Sequence, residues 1–221
     1  MDWARAIERN SEAINGTIKV LFAMLAVIAD RIPRSLHAKV LRLLRPAESA
    51  ARRLVIIVAR GIVVKPRAPR LIPADIVRTG GKLTNPRFKL FDPRKQFAVL
   101  NHQSPPRFLP RIRTFGNDPR FLALWPSPQP THTLPPDGLV NATRILRRLQ
   151  ALKFAMDDLP RQARRLAHWR ARRDHAAQPK FKSPLRPGPP PGYRKIPIHD
   201  IDAVLTECHG LARYALEPNT S

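Results

Sequence analysis

In the third quarter of the chain, Ala142, Ile145, Leu149, Leu152, Met156, Leu159, Ala163 and Leu166 fall alternately three and four residues apart. An α-helix turns once in about 3.6 residues, so positions spaced this way share one side of it. A stripe of that regularity must be buried against another surface. The same rhythm runs through Ile7, Ser11, Ile14, Ile18, Leu21, Leu25, Ile28 and Ile32. It returns in Leu36, Val40, Leu43, Ala47, Ala50, Leu54 and Ile57, and again in Ile201, Val204, Cys208, Leu211 and Ala215. Four matching stripes predict a mainly α protein, a helical bundle or a helical hairpin with added helices. The predicted core residues are Leu43, Leu54, Ile57, Ile145, Leu149, Leu152, Leu159 and Leu166.

Prolines and glycines punctuate these segments. Pro33 should end the first helix, because the residue before a proline is pushed out of the α region. Ser35 is then an N-cap, and Gly61 a stop. Pro46 must kink the second helix or open a new one, since it lacks an N–H. Asp137 is an N-cap for the next segment, and Pro160 predicts a break near Asp158. The resulting division is residues 1–60, N-terminal helices; 61–137, a Pro-rich basic insertion; 138–173, an Arg-rich helical segment; 174–197, a Pro-rich linker; and 198–221, an acidic C-terminal helix. Together they make one helical domain. The linker, with Pro187-Gly188-Pro189-Pro190-Pro191-Gly192 at its centre, is expected to be extended and mobile.

Charge narrows the partners. The formal net charge is +24, and the sequence pI is near 11.7. An excess of this size favours nucleic acid, an anionic membrane surface or an acidic protein. Cys208 is the sole cysteine, which excludes an internal disulfide and fits a reducing compartment. Membrane spans need about 18–20 apolar residues, whereas Val20 to Ala29 is bounded by Lys19 and Asp30, and Leu54 to Val64 is broken by Arg60. The expected location is the cytoplasm, with peripheral association with the inner membrane as the alternative. The Arg- and Pro-rich composition resembles that of proteins from GC-rich bacterial genomes, which implies a bacterial source.

Two features bear on a nucleic-acid partner. Pro-Arg-Phe occurs three times, at Pro86-Arg87-Phe88, Pro106-Arg107-Phe108 and Pro119-Arg120-Phe121. Interleaved Arg and Phe suit single strands, because guanidinium groups track phosphates while rings stack on bases. The competing reading makes each Phe a buried loop anchor. Residues 161–173 (RQARRLAHWRARR) resemble the arginine-rich helices that bind RNA or the DNA backbone. That resemblance implies a site made of Arg161, Arg164, Arg165, Trp169, Arg170, Arg172 and Arg173, with guanidinium forks matched to phosphate. Its competitor is a solvated helix face. The leading expectation is therefore a non-enzymatic, non-specific RNA- or DNA-binding protein. The alternative is a peripheral membrane or scaffold protein that uses the apolar N-terminal helices, with Lys19, Arg31, Arg34, Arg42, Arg45, Arg52 and Arg53 toward headgroups.

Catalytic chemistry finds no foothold in the sequence. Cys208 and His209 are consecutive on a helix and so point about 100° apart. His37, His102, His132, His168, His175 and His199 show no metal-ligand spacing. Gly80-Gly81-Lys82 lacks the context of a phosphate loop. No enzyme activity, metal or cofactor is expected, and the sequence leaves the oligomeric state open.

Overall fold

The computed structural model describes residues 2–26, 31–65, 86–93, 138–175 and 183–216. Within them the protein is mainly α-helical, with 71% of residues in helix. The elements are α1 (Trp3–Ala26), β1 (Arg31–Pro33), α2 (Arg34–Val58) with a 3-10 turn (Ala59–Gly61), β2 (Leu139–Asn141), α3 (Thr143–Asp157), α4 (Leu159–Asp174) and α5 (Asp200–Leu216).

The organising element is α2, which packs against each of the other four helices. Its two halves differ. The first is amphipathic and buries Val40 and Leu44. From Pro46 to Ile57 every residue is buried. Ala47, Ala50 and Ala51 let neighbouring helices approach closely, and the run Leu54-Val55-Ile56-Ile57 presents apolar side chains in every direction. A helix apolar all round belongs in a core. The predicted stripe is thus too narrow: its members Val40, Ala47, Ala50, Leu54 and Ile57 are buried as expected, and it departs from the structure at Leu43. Leu44 is buried where Leu43 was expected, and Leu43 is only partly buried against the core. Leu54, Ile57, Ile145, Leu149, Leu152 and Leu166 are core residues as expected, while Leu159 is partly buried.

On α1 the buried line is Asn10, Ile14, Ile18, Leu21 and Leu25. It passes through Asn10 rather than Ser11. Asn10 lies inside because its side-chain amide donates to Ala6 O at 2.8 Å and to Glu207 Oε1 on α5. Arg9 also pairs with Glu207, so α1 and α5 are joined by polar contacts at the core's edge. The helical rhythm expected to reach Ile32 does not do so. Residues 31–33 instead pair antiparallel with 139–141, in the register Arg31↔Asn141, Ile32↔Val140 and Pro33↔Leu139. Ile32 still enters the core, at 0% exposure, because one residue of a three-residue strand can point inward. β2 also displaces the start of the following helix to Thr143, whose N–H donates to Asn141 Oδ1 at 2.8 Å. The proposed cap at Asp137 lies outside the described residues.

The break at Pro160 is where the sequence puts it. α3 ends at Asp157, and α4 starts at Leu159 with Pro160 in its first turn. Asp158 caps it by accepting from the Arg161 N–H. On α5, Asp202 Oδ2 accepts from the Ile198 and His199 N–H groups, the return half of a capping box.

Residues 183–192 are not a free linker. They form a strap against α2. Pro184, Leu185 and Pro190 are buried, and Ser49 donates to Pro191 O at 2.6 Å. The strap meets α2 at Pro46, where no backbone N–H projects. Gly192 has φ +87°, and a Cβ there would lie 2.7 Å from Pro46 N and 3.0 Å from the Arg45 carbonyl carbon. Both the left-handed backbone and the close approach therefore require glycine. Residues 176–182 of the expected linker lie outside the described residues, as does most of the 61–137 insertion.

Candidate nucleic-acid interface

The buried turn of α2 carries Glu48, Ser49, Arg52 and Arg53, and residues 86–93 are fastened to it. Arg53 is 0% exposed. Its guanidinium donates to both carboxylate oxygens of Asp92, at 2.8 and 3.3 Å, to Ser49 O at 2.8 Å, and through Nε to His209 Nδ1 at 3.1 Å. Asp92 has 0% side-chain exposure. Arg52 donates to Lys89 O at 3.0 Å and lies 3.7 Å from Asp92 and 3.4 Å from Glu48. Burial pulls the Arg52 pKa below its ordinary value, against the raising effect of those two carboxylates. Arg148 on α3 makes a bidentate pair with Glu48, at 2.9 and 2.8 Å, and that hydrogen bonding raises its pKa. The segment is also tied to the strap, since the Asp92 N–H donates to Pro184 O at 3.1 Å. Buried guanidiniums require partners of this kind, because an unpaired buried charge is costly.

Residues 86–93 thus form one wall of a groove of about 1380 Å³, with α3 as the other and α2 as the floor. Arg144, Arg147, Arg148 and Ala151 fall on one side of α3, beside the buried stripe of Ile145, Leu149 and Leu152. Arg87, Lys89, Arg144 and Arg147 are exposed into the groove. None of these four makes an ion pair or side-chain hydrogen bond among the described residues. The two acids in the lining, Glu48 and Asp92, are already paired with Arg148 and Arg53. Burial lowers the Arg165 pKa, and the neighbouring Arg87 lowers it further. Like charges held this close favour an incoming anion.

The expected site residues are dispersed. Arg87 and Arg165 both line the groove. Arg165 is half-buried and structural, donating to Phe88 O and Gln162 Oε1, each at 3.0 Å. Phe88 is 5% exposed, with Arg52 at 5.7 Å over its ring, so it is a loop anchor and cannot stack on a base. Trp169 is partly buried, edge-on to Phe91 at 4.8 Å and covered by Arg173 at 5.2 Å. Arg173 also pairs with Asp174. Arg161, Arg164 and Arg172 are exposed on the outer side of α4. Arg170, nine residues after Arg161 and so about 180° round the helix, turns toward the core, where burial lowers its pKa. Arg107, Phe108, Arg120 and Phe121 lie outside the described residues. Arg52 and Arg53, expected to face headgroups, are buried instead. So are Ile14, Ile18, Leu21, Leu25, Leu54 and Ile57.

Arg144 and Arg147 were visible in the sequence as cations opposite a core stripe, but nothing in their spacing tied them to residues 86–93. Asp92 carried a weak signal as the only acid in a basic, aromatic segment.

His209 accepts from Arg53 through Nδ1, so its proton is on Nε2. Burial, then Arg53 and Arg213, lower its pKa. The unfolded chain therefore takes up this proton first, and stability is lost as pH falls below about 6.5. The melting temperature is expected to fall between pH 7 and pH 5. His209→Asn, which keeps an acceptor but cannot titrate, should flatten that dependence; an identical slope in the variant would refute the assignment. Its neighbour Cys208 is 0% exposed, and burial pushes its thiol up to about 12, so it is protonated at neutral pH. Among the described residues no group of three or more His, Cys, Asp or Glu is placed to hold a metal ion, and no helix is long and apolar enough to cross a membrane. No family model, curated protein or solved structure matches the chain.

Proposed function

We propose that this is a non-enzymatic helical-bundle protein that binds RNA or DNA through the phosphate backbone, without base specificity. The observation that carries the reading is the groove in which Arg87, Lys89, Arg144 and Arg147 converge without an ion-pair partner among the described residues, while both lining acids are occupied. Guanidinium forks match phosphate oxygens. Backbone contacts position a nucleic acid but carry no sequence information, and the burial of Phe88 removes the ring expected to read or stack a base there.

The test is the salt dependence of binding. Each phosphate neutralised contributes about 0.7 units of log–log slope for single strands and about 0.9 for duplex DNA. Replacing Arg87, Lys89, Arg144 and Arg147 with Gln should flatten the slope by roughly three units and weaken all sequences alike. The fold should survive, since exposed charges contribute little to stability. The same replacement of Arg161, Arg164 and Arg172 on the outer side of α4 should change the slope by less. A wild-type protein that binds neither RNA nor DNA at low salt would refute the proposal. A larger effect from the α4 set would move the site to that helix.

A further inference from the structure

We infer that the groove between α3 and residues 86–93 continues along α2 into a second groove, and that the joined channel takes a single strand of RNA or DNA with Tyr193 as a stacking platform. This rests on the nucleic-acid reading above and gives it a substrate class. The second groove holds about 720 Å³. Its floor is the same face of α2. Leu41 and Arg45 line it, while Glu48 and Arg52 line the first groove; at spacings of four, three and four these residues share one side of the helix. One wall is a continuous stretch of chain. Leu139 and Val140 border the second groove, and Asn141, Arg144 and Arg147 border the first. The other wall passes from residues 86–93 to the strap, joined where the Asp92 N–H donates to Pro184 O and the Arg186 N–H donates to Asp92 Oδ2, and ends at Gly192, Tyr193 and Arg194.

The channel's length and width select its occupant. From Arg34 to Arg52 the floor runs about 27 Å at 1.5 Å per residue. At about 3.4 Å per phosphate along a strand, that spans no more than about eight phosphates. The floor is one helix, about 10–12 Å across. A duplex, whose major groove alone is about 12 Å wide, cannot sink between the walls, whereas a single strand can. Arg42 and Arg45 are exposed along the floor and make no ion pair among the described residues. Arg87, Lys89, Arg144 and Arg147 of the first groove, likewise without an ion pair among the described residues, extend that line. Tyr193 stands on the wall with 44% of its surface exposed. Its backbone N–H is held by Pro190 O at 3.0 Å, so the ring is presented from an anchored position. An aromatic ring beside a cationic track is the arrangement that binds single strands without sequence preference.

The experiment is fluorescence anisotropy with labelled oligo(dT) of 4, 8, 12 and 16 nucleotides and with a 16-base-pair duplex, at low salt. Affinity is expected to rise up to about eight nucleotides and little beyond. The duplex should bind at least tenfold more weakly than the 16-mer strand. Tyr193→Ala should lower affinity for the 8-mer by about fivefold or more, and Tyr193→Phe should retain it. Arg42→Gln with Arg45→Gln should flatten the salt slope by more than one unit. A duplex that binds as tightly as the strand overturns the inference. So do Tyr193→Ala and the double Arg variant if both behave like the wild type. In either case, loss of binding on replacing Arg87, Lys89, Arg144 and Arg147 would leave the broader nucleic-acid reading standing. Absence of all binding by the wild type would remove both.

Discussion

Asp92→Ala is expected to cost about 3–5 kcal/mol of folding stability, the usual penalty for breaking a buried ion pair from one side. The reason lies in what is left behind. Arg53 is fully buried and sends two of its hydrogen bonds to Asp92. Without the carboxylate, its charge remains in the core with only Ser49 O and His209 as partners. Arg52 loses the second of its two nearby acids at the same time. The loss should also loosen residues 86–93, which would then be held by the buried Phe88 and Leu90 and by the bonds that the Arg52 and Arg165 side chains donate to the carbonyls of Lys89 and Phe88. Urea unfolding measures the effect, and a change below about 1 kcal/mol would show that the pair is not buried as described. The double replacement Asp92→Leu with Arg53→Met separates charge from shape. Apolar substitutes for both members of a buried pair are often neutral or stabilising, so the double variant should be more stable than the single one. Its groove would nonetheless keep Arg87 and Lys89, and the proposed nucleic-acid binding should persist.

How legible was this protein from its sequence? Periodicity identified the helices and the break at Pro160, because a long amphipathic stripe and a proline each act locally. It misjudged α2. A single apolar stripe does not reveal that residues 46–57 are enclosed on all sides, and Arg52-Arg53 inside that run suit a headgroup-facing position as far as sequence goes. Only tertiary partners make two adjacent arginines tolerable in a core, and those partners are distant in sequence: Asp92, His209, Lys89 O and the backbone at Ser49 O. The strap was misread for a related reason. Proline and glycine content argues against helix and sheet, but it does not argue against packing. Pro46 and Gly192 fit each other through what they lack, an N–H and a Cβ. The candidate site was half legible. The abundance of cations, including Arg87 and Arg165, could be read directly. Which of them remain unpaired could not, because pairing depends on where Glu48 and Asp92 are placed. Helical geometry would have removed Arg170 from the α4 set beforehand, since its position relative to Ala163, Leu166 and Ala167 puts it on the buried side.

The apolar core allows a second strong test, one that compares positions of identical chemistry. Leu149→Ala is expected to cost about 2–5 kcal/mol, the sum of lost burial and the cavity left behind. Leu149 is 0% exposed and lies on the α3 stripe between Ile145 and Leu152, where close packing on every side limits collapse around the missing atoms. Leu43→Ala and Leu159→Ala remove the same atoms from partly buried positions. Only part of their transfer free energy is at stake, and solvent rather than a void replaces the side chain, so about 1 kcal/mol each is expected. A sequence stripe alone ranks the three leucines equally. The structure separates them by the way α2 is turned and by the helix break at Asp158. Chemical denaturation of the three variants decides between the two rankings. Equal losses at Leu43, Leu149 and Leu159 would mean that α2 presents Leu43 inward and that the packing described for its first half is rotated by one residue.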